Sequence, residues 1–95
     1  MLSAVKGALR VSNSTTVYDD EIQDLIEAAK ADLALAGVLQ AKIDESDPLI
    51  KRAIIAYCKA HFGWNNPDAE RLERSYGMLK AHLTLAGDYT TEAVA

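Results

Sequence analysis

The side chains that chemistry would need are few in this chain. Cys58 and His61 lie about one helical turn apart, a spacing typical of a thiolate–imidazole pair or of half a zinc site. Zinc requires three or four ligands, however, and Cys58 is the single cysteine of the sequence, which also excludes an internal disulfide. A catalytic thiol needs an open, electropositive setting, whereas Cys58 lies among Ile54, Ile55 and Phe62. We therefore expect Cys58 to be a buried apolar side chain, and we expect no metal site.

The acidic side chains and the second histidine form no catalytic group either. Residues 19–21 (Asp-Asp-Glu) lack the alternation and the glycine of a calcium loop, and their place at a helix start explains their charge. Residues 44–47 are typical of a solvated loop that ends in a helix cap. His82 follows Lys80 on a predicted helix, and the sequence contains no glycine-rich phosphate loop. The sequence predicts neither an enzyme nor a cofactor.

Composition and charge bound the class of protein. The chain has 95 residues, enough for one domain, and its 49% hydrophobic and 25% charged residues are ordinary for a globular protein. Its formal net charge is −4. A free-standing nucleic-acid binder normally carries a basic face, because phosphate contacts dominate its affinity. The sequence lacks that face overall, but a local one remains open as an alternative, made of Lys51, Arg52, Lys59 and Arg71.

No targeting or membrane segment is visible in the sequence. No apolar run approaches the length of a membrane span, and residues 1–7 do not resemble a signal peptide. We expect the protein to be cytosolic where it is made.

Residues 47–63 are typical of one complete helix with its start and stop signals. Asp47 is a helix cap, Pro48 suits the first helical position, and Gly63 suits a left-handed end. The side chains between these ends that need cover occupy more than one stripe: Leu49, Ile50, Ala53, Ile54, Tyr57, Cys58, His61 and Phe62. We predict that this helix is central and keeps apolar surface for neighbouring subunits.

Three further helices complete the predicted fold. A short one spans about residues 3–10, with Ser3 as its cap. A longer one runs from Tyr18 or Asp19 to Ala36, with Gly37 as its stop. The last runs over about residues 66–86, with Asn66 as its cap, Pro67 at its first helical position and Gly87 as its stop. We predict an all-α fold, a small bundle of three longer helices plus a short N-terminal helix.

This helical bundle is predicted to be one domain, residues 1–87, followed by a mobile tail, residues 88–95. Residues 38–46 are predicted to form a partly ordered arm between two helices. Gly77 lies in the middle of the last helix, where it either marks close helix packing or costs about 1 kcal/mol.

Four side chains are candidates for contacts with a sister subunit or a partner. Trp64 follows Gly63 at a turn between two helices, where it either covers the end of the bundle or anchors an interface. Tyr18 and Tyr89 permit the same two interpretations. Ile43 lies in the predicted arm and packs either on its own subunit or on a neighbour's.

Four runs of the sequence resemble one known family. Residues 18–30 (YDDEIQDLIEAAK) resemble the second helix of the head–tail connector proteins of tailed bacteriophages and prophages. Residues 47–55 (DPLIKRAII) and 62–71 (FGWNNPDAER) are similar to the third helix and the turn after it, and residues 75–80 (SYGMLK) to the last helix. The resemblance covers about residues 2–89 and rests on the order and spacing of structural motifs.

The resemblance implies a structural virion protein. Such connectors are small helical subunits that assemble into a ring, commonly of about a dozen copies, beneath the portal of the filled capsid. The ring extends the DNA channel and provides the docking surface for the next connector or tail component, while DNA passes without specific binding. The family also implies that an isolated subunit can be monomeric and that the packaging ATPase is a separate protein.

Two other classes of function stay open at the level of sequence. One is a small helical adaptor that presents a groove to a single partner. The other is a nucleic-acid binder that uses the local basic face, and it predicts duplex affinity that falls steeply with salt.

Overall fold

The computed structural model describes residues 1–63 and 66–90, and within these ranges all regular secondary structure is helical. The three longer helices are α2 (Asp19–Ala36), α3 (Pro48–His61) and α4 (Ala69–Leu85). The short helix α1 (Leu2–Ala8) precedes them, a 3-10 turn (Gln40–Lys42) joins α2 to α3, and a last short helix, α5 (Gly87–Thr90), follows α4. The predicted all-α bundle with a short N-terminal helix is confirmed.

The start signal of α3 acts as predicted, whereas its stop differs from the prediction. Asp47 Oδ1 accepts hydrogen bonds from the backbone N–H groups of Leu49, at 2.9 Å, and Ile50, at 3.4 Å. These bonds satisfy donors that a helix start leaves without an intrahelical partner. The helix ends at His61 because Phe62 adopts an extended conformation; Gly63 is left-handed, with a φ of 74°, but it lies one residue beyond the cap and does not itself close the helix.

The starts of two other helices differ from the prediction. Ser3 lies inside α1, because the helix begins one residue earlier, at Leu2. Asn66 does not cap α4; its side-chain oxygen instead accepts from the N–H of Asp68 at 3.0 Å and closes a turn, so the helix begins at Ala69. Short polar side chains such as asparagine can stabilise a turn in place of a helical first turn.

Gly87 is not the stop of α4, contrary to the prediction. The helix ends because Ala86 adopts an extended conformation, and Gly87 then begins α5. Tyr89 of α5 is partly buried against the core, and its carbonyl accepts from the N–H of Leu39 at 2.9 Å. Packing therefore continues beyond the predicted boundary at residue 87. The rest of the predicted tail, residues 91–95, lies outside the described residues.

The core lies around α3, which packs on α2 and α4, with α1 across one side. Ile50, Ala53, Ile54 and Cys58 of α3 are fully buried, and Leu49 is 45% exposed. The prediction that α3 keeps wide apolar surface for neighbours is therefore wrong for most of the helix. The reason is that its neighbours within the subunit, including the short α1 through Val5, already cover it.

The exposed apolar surface lies instead on the flanking elements. Leu35 of α2 is 87% exposed and Leu85 of α4 is 85% exposed, while Val17 before α2 is 77% exposed. Single large apolar side chains are common on protein surfaces. Only those that lie beside other exposed apolar groups therefore indicate a site of contact with another protein.

A buried lysine positions the segment between α1 and α2. The Lys6 ammonium donates to the carbonyl oxygens of Thr15, at 2.6 Å, and Asn13, at 3.3 Å, and lies 2.7 Å from Asp19 Oδ1. The side chain is 3% exposed, so these partners replace its water. The contact sets where Val17 and Tyr18 emerge at the start of α2.

Candidate interaction surface

The residues with the strongest sequence case for chemistry form no reactive site. Cys58 is buried as predicted, and burial raises the pKa of its thiol to about 11, so the thiol stays protonated at neutral pH. His61 is exposed, with Nε2 3.2 Å from Glu73 Oε1 and its ring 4.4 Å from that of Tyr57. Among residues 1–63 and 66–90, no three His, Cys, Asp or Glu side chains are placed to bind a metal ion.

The richest polar cluster joins α2 to α4. The Tyr76 hydroxyl donates to Asp32 Oδ2 at 2.5 Å, and the Lys80 ammonium lies 3.1 Å from the same oxygen. The Tyr76 ring also packs edge-on against Tyr57 of α3, at 5.1 Å between centroids. These contacts bring three helices together at one point.

The electrostatics of this cluster favour a structural role. The hydrogen bond from Tyr76, opposed in part by burial and assisted by Lys80, holds the pKa of Asp32 below its ordinary value. Burial and the Asp32 carboxylate raise the pKa of Tyr76 far above its ordinary value. A tyrosine whose proton is held this firmly does not act as an acid or a base near neutral pH. Sequence reasoning missed the cluster, since Asp32 and Tyr76 are 44 residues apart.

A groove with an apolar lining lies where α3, α4 and α5 meet. Its volume is about 330 Å³, and it is lined by Leu49, Leu79, His82, Leu83, Ala86 and Tyr89. Three of these residues, Leu79, His82 and Leu83, belong to α4, and His82 and Leu83 follow Leu79 by three and four positions, so the three lie on one face of that helix. Ala86 follows directly after the helix. Leu49 closes one side from the first turn of α3, and Tyr89 closes the other. We call this feature the apolar groove.

Tyr89, one of the predicted interface residues, is held in place at the apolar groove by two hydrogen bonds. Its hydroxyl donates to Asp47 Oδ2 at 2.7 Å, while its carbonyl accepts from Leu39 N–H. The hydrogen bond from Tyr89 is the largest cause that holds the pKa of Asp47 below its ordinary value; desolvation opposes it, and the hydrogen bonds from the α3 backbone assist it. The carboxylate of one residue therefore fixes both the start of α3 and the wall of the groove.

Tyr18, a second predicted interface residue, lies at the other end of α3. It is 45% exposed, and its ring packs edge-on against Phe62 at 5.6 Å between centroids. Val17 beside it is 77% exposed. We call Val17 and Tyr18 the apolar pair. Leu49 and Phe62 are 13 positions apart along α3, so the groove and the pair are separated by about 20 Å.

The remaining predicted interface residues have different outcomes. Ile43 packs, partly buried, against the core of its own subunit and lines a shallow hollow with Glu27 and Lys30 of α2. Trp64 lies outside the described residues. The structure therefore does not gather the predicted set into one patch, and their role as contacts stays a prediction.

The predicted local basic face is divided in the structure. Lys59 and Arg71 line a hollow that also includes Arg10 and Asp68, and Arg71 lies 3.6 Å from the Asp68 carboxylate. Lys51 lines a separate hollow, with residues of α1 and the α2–α3 connection.

The described helices also include none that is both long and apolar enough to cross a membrane.

Comparison with known proteins gives a family match. A protein-family profile described as "Phage connector protein" matches residues 1–90. No curated protein and no solved structure matches the chain. The family match includes α1 to α5 and therefore both the apolar groove and the apolar pair.

Proposed function

This chain belongs to the phage connector protein family, structural proteins of the head–tail junction, and from that premise we propose that it forms an oligomeric ring between the portal and the tail. The ring extends the DNA channel below the portal and gives the next connector or tail-completion protein its docking surface. The protein acts by assembly, with no catalytic step of its own.

The observation that carries this proposal is the family match over residues 1–90, nearly the whole chain. The position of exposed apolar surface supports it. The apolar groove and the apolar pair lie at opposite ends of α3, so one subunit has two separate surfaces to offer to neighbours. A subunit with two such surfaces can contact two copies at once, as a ring requires.

The charge of the chain also suits a channel that DNA moves through. Cationic side chains that neutralise phosphates release counterions and bind DNA tightly. The formal net charge of −4 and the division of the basic residues leave little for such binding. We propose that DNA passes the ring without specific binding.

Deletion of the gene from the parent phage tests the proposal. We expect electron microscopy to show DNA-filled heads without tails, and we expect the wild-type gene supplied in trans to restore tailed particles. Tailed, infectious particles formed without this protein would overturn the proposal. A protein that stays monomeric and never joins isolated portal-containing heads would favour the single-partner adaptor instead.

A further inference from the structure

We propose that neighbouring copies of this chain contact each other head to tail, with the apolar pair of one copy seated in the apolar groove of the next. The inference rests on the proposed function and names the two surfaces that would build the ring. It joins Tyr18 and Tyr89, two residues that lie far apart within a single subunit.

The two surfaces complement each other in shape and polarity. The groove is concave, about 330 Å³ in volume, and its lining is apolar except for His82 and the tyrosine hydroxyl that Asp47 engages. The pair projects: Val17 is 77% exposed and Tyr18 45% exposed. Tyr18 is also held by Phe62 on one side, so its ring loses little freedom when the other side is covered.

The positions of the two surfaces decide the symmetry of the contact. Two different surfaces at opposite ends of α3, about 20 Å apart, form a heterologous contact, in which each copy uses its pair on one neighbour and its groove on the other. A heterologous contact closes into a ring when a whole number of the rotations that relate neighbouring copies adds up to one full turn. A two-fold dimer would instead place the same surface on both partners.

The charges beside the two surfaces are of opposite sign, so they attract when the surfaces meet. The exposed acids Asp20 and Glu21 follow the apolar pair in the first turn of α2, and the exposed Arg52 lies three positions after Leu49, on the same face of α3. Apposition of the acidic turn and Arg52 is electrostatically favourable and disfavours the opposite orientation.

A second charge match lies on the other side of the same contact. The hollow lined by Arg10, Lys59 and Arg71 includes Phe62, the ring partner of Tyr18, so it adjoins the apolar pair. Exposed Asp88 precedes Tyr89 at the far rim of the groove. We therefore place the basic hollow toward Asp88 and the acidic turn toward Arg52.

The contact is too small to hold two free subunits together. A buried tyrosine contributes about 150–250 Å², whereas a stable interface buries about 800 Å² on each partner. Isolated subunits should therefore stay largely monomeric, and the contact should form when a portal holds many copies at high local concentration.

Cysteine cross-linking on isolated heads that lack this protein tests the contact. The variant carries Val17→Cys and Leu49→Cys, both at exposed positions, and a short bismaleimide joins thiols that lie close together. Native Cys58 is buried with a raised pKa, so it does not react. The matched control carries Val17→Cys and Leu35→Cys, because Leu35 is 87% exposed and lies on neither surface.

We expect a ladder of covalent multimers from V17C/L49C bound to heads, and none from either single variant or from V17C/L35C. Dimers from a single variant would indicate a two-fold contact and overturn the proposal. Head-bound protein in several copies with no ladder would overturn it too, while leaving the proposed function intact. Failure of the wild-type protein to bind heads would overturn both.

A charge exchange gives an independent readout. We expect Arg52→Asp to reduce the number of copies bound per head at least several-fold, and Asp20→Arg in the same chain to restore it. Both side chains are exposed, so circular dichroism should show both variants folded. Loss of binding without rescue by the exchange would overturn the pairing of these two surfaces.

Discussion

Single charged side chains in this protein often hold segments that are distant in sequence. Asp47 caps α3 through Oδ1 and binds the hydroxyl of Tyr89, 42 residues away, through Oδ2. Lys6 likewise holds the connection between α1 and α2 through two backbone carbonyls and the carboxylate of Asp19. Each of these residues therefore does more than its local sequence pattern indicates.

The two roles of Asp47 can be separated by substitution. Asp47→Ala removes the cap and the bond from Tyr89, and we expect it to lower the free energy of unfolding by about 2 kcal/mol, measured by urea denaturation. Asp47→Asn keeps a good cap but replaces the charged acceptor of the tyrosine hydroxyl with an amide N–H group that can only donate to the tyrosine oxygen, so its loss should be smaller, at most about 1 kcal/mol, the loss expected for Tyr89→Phe. Equal losses for Asp47→Ala and Asp47→Asn would show that the cap contributes nothing.

Helix α4 contains a glycine that packing within the subunit does not explain. A Cβ built at Gly77 would meet no atom within 4 Å outside its own helix backbone and its chain neighbours, so the position is not a close approach between helices of this subunit. Gly37 has equally open surroundings but a φ of 116°, a conformation that L side chains rarely adopt. A Cβ atom added at Gly77 should therefore stabilise the fold, whereas one added at Gly37 should destabilise it.

We expect Gly77→Ala to raise the free energy of unfolding by about 1 kcal/mol, because alanine is the better helix former. Gly37→Ala should lower it by about 1–2 kcal/mol, because its backbone stays left-handed. Thermal and urea denaturation of both variants measure these changes. A Gly77→Ala protein that is no more stable than the wild type would contradict the open environment seen at Gly77.

At the scale of the molecule, hydrogen-bonded carboxylates connect the helices outside the apolar core. Asp32 joins α2 to α4 through Tyr76 and Lys80, and Asp47 joins α3 to α5 through Tyr89. The pKa of each carboxyl group is lowered, with the tyrosine hydrogen bond as the largest cause. The folded state therefore prefers both groups ionised.

This preference predicts acid sensitivity with a definite sign. A carboxyl group with a lowered pKa in the folded state adds stability above its ordinary pKa of 3.8, and this stability is lost as pH falls through the folded value. We expect the free energy of unfolding, measured in urea from pH 7 to pH 3, to fall below about pH 4. The double variant Tyr76→Phe/Tyr89→Phe should lose less of its free energy of unfolding over the same pH range. An equal loss in the variant and the wild type would mean that these tyrosines do not cause the acid sensitivity.

The sequence alone determined the features that depend on neighbouring residues. The bounds of α2 before Gly37 and the start of α3 at Asp47 were predictable, since a cap or a left-handed glycine acts within one helical turn. The all-α fold followed from apolar spacings of three and four. Even here, the side chain of Asn66 was assigned to a helix cap, although it closes a turn.

Only the tertiary structure decided which apolar side chains stay exposed and which polar groups meet. The sequence predicted surplus apolar surface on α3, but burial depends on where α1, α2 and α4 lie around it. The apolar groove needs Leu49 and Tyr89, 40 positions apart, to meet α4, and no local pattern records that meeting. Local propensity acts over a few residues, whereas a surface arises from segments that folding brings together.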